Sequence, residues 1–71
     1  MKIFLLEDDA SIAMGLEYSL HKEGYETAHS KTVSEALAAI GKEAFDLYLL
    51  DLTLPDGSGY DVCKAIKEKG D

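Results

Sequence analysis

Four apolar residues in succession, Ile3-Phe4-Leu5-Leu6, stop abruptly at three acids, Glu7, Asp8 and Asp9. An unbroken apolar run of this kind is what a parallel strand covered on both faces requires, and it predicts a first strand in the interior of a sheet. Beyond the acids the spacing changes. Ile12, Leu16 and Leu20 stand four apart with Ala13 beside them, which predicts a first helix that stops at Gly24. Tyr25-Glu26-Thr27-Ala28 is short and carries a charge, the pattern of a strand at a sheet edge. Thr32 opens a Thr-x-x-Glu capping box with Glu35, and Val33, Ala36, Leu37 and Ile40 form the apolar stripe of a second helix before Gly41. Leu47-Tyr48-Leu49-Leu50 is again wholly apolar and predicts a third strand ending at Asp51. Pro55-Asp56-Gly57-Ser58-Gly59 reads as a turn, after which Val62, Cys63 and Ile66 mark a third helix.

The alternation β-α-β-α-β-α is that of an α/β fold, with no low-complexity linker and no internal repeat. Parallel strands joined by right-handed crossovers take the order 2-1-3 when the winding reverses after the second strand. The third strand has the composition of an interior strand, yet no later segment reads as a strand to pair with its outer side.

Charge narrows the possible partners. Lys and Arg total 7 against 14 Asp and Glu, a net charge of −7, and Lys64, Lys67 and Lys69 lie among acids. Such a surface repels nucleic acid and anionic membranes, so no nucleic-acid or membrane binding is expected of these residues. The apolar run at the start fits neither a signal peptide nor a membrane span, and a cytoplasmic location is the expectation. The single cysteine, Cys63, has no internal partner for a disulfide and is expected to be a small, partly buried apolar residue. The hydrophobic share of 46% with one proline suits a globular chain, while 71 residues is near the lower limit for a self-sufficient core.

The acids carry the chemistry. In open α/β sheets ligands bind outside the carboxyl ends of the strands, at the crevice where the winding reverses, here between strands one and three. Glu7, Asp8 and Asp9 follow one of those ends and Asp51 follows the other. Two carboxylates 4 Å apart repel by about 1 kcal/mol in water and roughly four times that at an intermediate dielectric, a conflict that a bound cation removes. A few hard oxygen ligands around an open site suit magnesium, which accepts a phosphoryl oxygen, and Asp51 is then placed to attack an incoming phosphorus. A blander reading competes: Asp9 caps the first helix while Glu7 and Asp8 are simply solvated. Asp51 resists it, since it sits between Leu50 and Leu52, where a charge is costly without a partner.

The segments Ile3-Phe4-Leu5-Leu6-Glu7-Asp8-Asp9 and Leu49-Leu50-Asp51-Leu52-Thr53-Leu54-Pro55-Asp56-Gly57-Ser58-Gly59 resemble the receiver domain of two-component response regulators. The resemblance implies a truncated flavodoxin-like, doubly wound fold with parallel order 2-1-3. It implies that Asp51 is the phosphoacceptor, charged by a phosphohistidine on a sensor histidine kinase, in a non-enzymatic signalling role. Asp8 and Asp51 would bind Mg2+ directly, Glu7 through water and Thr53 by its backbone carbonyl, leaving Asp9 as a helix residue. The acidic start and the Leu-Pro-Asp-Gly-Ser-Gly turn look like those of regulators with a winged-helix DNA-binding domain, which makes the parent a transcriptional regulator. The family's strand-four hydroxyl, strand-five lysine and strand-five aromatic have no counterpart in residues 1–71. The expectation is therefore an incomplete receiver of three β-α units, lacking strands four and five and any effector domain, with weak metal binding, poor switching, and a homodimer through the strand-three edge.

Rival readings fit less well. A haloacid-dehalogenase-like aspartyl phosphatase needs a second acid where Thr53 stands. A flavodoxin-type flavin site needs hydroxyls and amides where three acids stand, and a calcium loop needs alternating oxygen ligands that 51–59 lack. A non-signalling, self-associating folding fragment is a further alternative. His21 and His29 have no partner nearby in sequence and are expected at the surface.

Overall fold

The computed structural model describes residues 1–51 and 59–70. Their elements run β1 (Lys2–Leu6), α1 (Ala10–Lys22), β2 (Glu26–Ser30), α2 (Val33–Lys42), β3 (Leu47–Leu50) and α3 (Gly59–Gly70). The three strands form one parallel sheet in the order β2-β1-β3, as the patterning predicts. The winding reverses between β1 and β3.

β2 begins and ends later than its composition suggests. β1 pairs along its whole length, from Lys2 opposite Glu26 to Leu6 opposite Ser30, so His29 and Ser30 belong to the strand. Tyr25 is instead held in the preceding turn, its amide donating to the carbonyl of Leu20 at 3.0 Å. Gly24 makes that turn possible: its φ of +90° lies where a side chain would be strained.

Side chains alternate across β1. Phe4 and Leu6 point into a core with Val33, Ala36 and Ile40 of α2, Phe45, and Val62 of α3. Ile3 and Leu5 face the other side, where α1 contributes the buried Ala13. One face of the sheet thus carries α2 and α3, the other α1. Lys69 fastens α3 to α2, its ammonium donating to the carbonyls of Ile40 and, at 3.0 Å, Glu43 at the carboxyl end of α2, where a cation is also favoured by the helix dipole.

Three expectations need correction. The stripe of α1 is apolar without being covered: Ile12 is 53% exposed and Leu16 39%. The helix leans toward β2, where Glu17 accepts from the Thr27 hydroxyl at 2.7 Å and His21 meets the same oxygen at 2.7 Å. That leaves an open cleft of about 450 Å³ between α1 and β3, lined by Leu5, Ile12, Leu16 and Leu49. Cys63 is exposed rather than partly buried, because its neighbour Val62 turns to the core. Leu37 is likewise largely exposed at the margin of the α2 stripe.

β3 has β1 as its sheet neighbour and, among the described residues, no strand on its other side. Its apolar residues are consequently only half covered, with Leu47 42% exposed. The expected turn at 55–58, and Thr53, lie outside the described residues.

Candidate metal and phosphoryl site

Both strand ends are fixed by main-chain bonds that continue the sheet past its last paired residues. The Glu7 amide donates to the Ser30 carbonyl at 3.1 Å, and the Asp51 amide donates to the Leu6 carbonyl at 2.9 Å. These bonds carry the acids to the carboxyl ends of β1 and β3, where the winding reverses, at the rim of the cleft between α1 and β3.

Glu7, Asp8 and Asp51 converge there. One carboxylate oxygen from each lies within 4.8 Å of the others. Glu7 and Asp51 are half-buried and Asp8 is exposed, so the cluster opens to solvent on one side. Asp9 stands apart as the N-cap of α1, its carboxylate accepting from the amides of Ser11 at 2.9 Å and Ile12 at 3.1 Å. Losing such a cap costs about 1 kcal/mol. Thr32 caps α2 in the same way, accepting from the Glu35 amide at 3.2 Å, while the Glu35 carboxylate accepts from the Lys31 amide.

The crowding of acids is visible in Glu7. Burial, a hydrogen bond with the Asp51 carboxyl, and the negative charges of Asp51, Asp8 and Asp9 push its carboxyl above the usual glutamate range. A proton shared between two carboxyls and a cation bound among three answer the same electrostatic problem. Three oxygen ligands open to water suit a small hard cation such as Mg2+, which keeps part of its hydration shell. The residues present therefore fit the ion that the donor chemistry calls for.

A pH dependence follows. The folded chain holds the Glu7 proton more tightly than the unfolded chain, so ionising Glu7 opposes folding. Below the ordinary glutamate range both states are protonated and Glu7 contributes nothing. As pH rises from that range through the raised folded value the penalty grows, and above it the penalty is constant. In metal-free buffer Glu7→Gln is expected to raise the melting temperature near neutral pH, by a margin that shrinks to nothing as the pH falls through that window. Mg2+ should favour the parent chain instead.

His29, expected at the surface, packs beside this cluster. It is half-buried, and its Nε2 lies 2.8 Å from the main-chain oxygen of Glu7. Only the strand register reveals this contact, because 22 positions separate the two residues.

Among the described residues no helix is long and apolar enough to cross a membrane. The family described as response regulator receiver domain matches residues 3–71. It is a signalling family and not a family of enzymes. The DNA-binding response regulator MtrA of Mycobacterium tuberculosis is 41% identical over 66 residues, spanning 93% of this chain and 29% of that protein. This chain thus corresponds to less than a third of that relative's length. The non-phosphorylated receiver domain of HemR from Leptospira biflexa superposes with a TM-score of 0.90 at 41% identity, covering 96% of this chain and 55% of that one. TrrA of Thermotoga maritima, solved in complex with Mg2+ and BeF, gives a TM-score of 0.90 at 32% identity, covering 96% of this chain and 59% of that one. The same regulator has been solved in complex with the histidine kinase ThkA.

Proposed function

The chain belongs to the response regulator receiver domain family of two-component signalling, and from that premise we propose that Asp51 is its phosphoacceptor, served by Mg2+ held among Glu7, Asp8 and Asp51. The observation that carries the proposal is the convergence of these three carboxylates at the ends of β1 and β3. The donor is a phosphohistidine of a sensor kinase, in keeping with the ThkA complex of TrrA. The output is control of a DNA-binding regulator, in keeping with MtrA. The cytoplasm is the proposed location of this exchange.

In the transfer, an Asp51 carboxylate oxygen forms a bond to phosphorus while the P–N bond of the phosphohistidine breaks. The electron pair of that bond stays on the imidazole, and Asp51 becomes an acyl phosphate. Bound Mg2+ supplies charge neutralisation for the phosphoryl oxygens. The chain's own contribution is placement: the main-chain bond to Leu6 holds Asp51 at the strand end, and the bond to Ser30 holds Glu7 opposite it. Thr53 is proposed to add its carbonyl to the metal's ligands.

The test is direct binding. Calorimetric titration of the parent with Mg2+ should give saturable binding. Asp8→Asn should weaken it about tenfold or more, the scale on which even outer-shell changes act. Equal affinity in the two proteins would refute the ligand assignment.

Self-association is a second proposal, supported by the edge of β3. Leu47, Tyr48, Leu49 and Leu50 bring no charge, proline or bulge to that edge, unlike β2 with Glu26 and His29. Among the described residues no strand pairs with that edge, and an apolar edge invites pairing with a second copy about a two-fold axis. Sedimentation equilibrium is expected to show a concentration-dependent dimer that Leu49→Lys dissolves; a monomer at every concentration would reject the pairing.

A further inference from the structure

We infer that His29 is a positioning residue for the metal site, acting through the main chain of Glu7; the inference rests on the Mg2+ reading above. The carbonyl that meets the ring at 2.8 Å is an acceptor only, so the ring nitrogen Nε2 carries the hydrogen and donates it. That carbonyl belongs to the peptide bond joining Glu7 to Asp8. Gripping it fixes the plane of the very peptide from which two of the three metal-facing carboxylates extend.

β2 holds this peptide pair from two sides. The Ser30 carbonyl takes the Glu7 amide at 3.1 Å, and the His29 ring supplies a donor to the Glu7 carbonyl. Register makes the second bond possible. Leu5 is the β1 residue opposite His29, so the ring lies on the α1 face of the sheet, two residues short of the carbonyl it reaches. Thr27, two positions earlier on the same face, is tied to α1 through Glu17. The arrangement makes β2, which contributes no metal ligand, the support on which the acidic loop rests. Without the ring, the Glu7 amide would still be anchored, but the peptide beyond it would rotate and Asp8 would lose its fixed approach to Glu7 and Asp51.

The experiment compares Mg2+ dissociation constants by calorimetry for the parent, His29→Phe and His29→Gln, with circular-dichroism melts to establish folding. Phenylalanine keeps the ring's shape without its donor. Glutamine keeps an amide donor at comparable reach. His29→Phe is expected to weaken Mg2+ about tenfold, at the lower end of what outer partners of a metal site contribute, and His29→Gln to restore binding close to the parent's. Unchanged affinity in His29→Phe overturns the inference, as does equal weakening in both variants, which would mark His29 as packing alone. If the parent itself binds no Mg2+, the metal reading fails and this inference with it. Should His29→Phe not fold, His29→Leu carries the same comparison.

Discussion

Asp51→Asn is expected to take up no phosphoryl group under conditions in which the parent takes up one. The chain is incubated with Mg2+ and a small acyl phosphate, and intact mass is followed over time. The parent should gain a single phosphoryl group, slowly. Loss in the variant should be complete rather than partial, because an amide oxygen cannot form the acyl phosphate. Glu7 is half-buried beside Asp51 and Asp8 lies at the exposed side of the cluster, whereas Asp51 is fixed to the end of β3 by a main-chain bond to β1. Residual phosphorylation of Asp51→Asn at the parent's rate would move the acceptor elsewhere.

Phe4→Ala is expected to remove a large share of the chain's folding stability. Phe4 is fully buried at the centre of the sheet, its ring centroid 5.1 Å from that of Phe45 and 6.1 Å from that of Tyr48. Phenylalanine-to-alanine changes in cores cost about 3–5 kcal/mol. A domain of this size has roughly 4–10 kcal/mol of stability in total. The variant loses the side chain that α2, β3 and the segment between them all pack against. Far-UV circular dichroism and urea titration report the loss. Leu37→Ala, at a position 41% exposed, is the control and should shift the midpoint little. Comparable stability of Phe4→Ala and Leu37→Ala would contradict the assignment of the core.

Much of the architecture is legible in the sequence because β1 is sandwiched between helices and β3 lies beside it, lending Tyr48 and Leu50 to the core, so each is written as an unbroken apolar run. β2 is harder to read. Its last residues, His29 and Ser30, are polar and join the sheet through register with β1, which no local pattern encodes. Helical periodicity identifies residues that share a face but not whether that face is covered. Ile12 and Leu16 are the case in point, lying along an open cleft instead of under a packed layer. Cys63 illustrates a finer limit: adjacent helical positions point about 100° apart, so Val62 reaches the core while Cys63 faces solvent.

The acidic site is legible for a different reason. Reversal of the winding between β1 and β3 dictates which strand ends are neighbours, and three acids and Asp51 follow those ends directly. Spacing alone could not separate Asp9 from Glu7 and Asp8. Geometry does, since Asp9 is turned to the amides of α1 while the other two face Asp51. The His29 contact, a side chain bound to a distant carbonyl, leaves no sequence signal at all.

Whether Asp51 is the phosphoacceptor is decided by locating the phosphoryl group itself. After incubation with the acyl phosphate, borohydride reduces an aspartyl phosphate to homoserine, which peptide mass spectrometry assigns to a position. Homoserine is expected at position 51 when Mg2+ is present and nowhere when it is chelated. Modification at Asp8 or at a hydroxyl residue, or modification of Asp51 that is indifferent to Mg2+, would contradict that expectation.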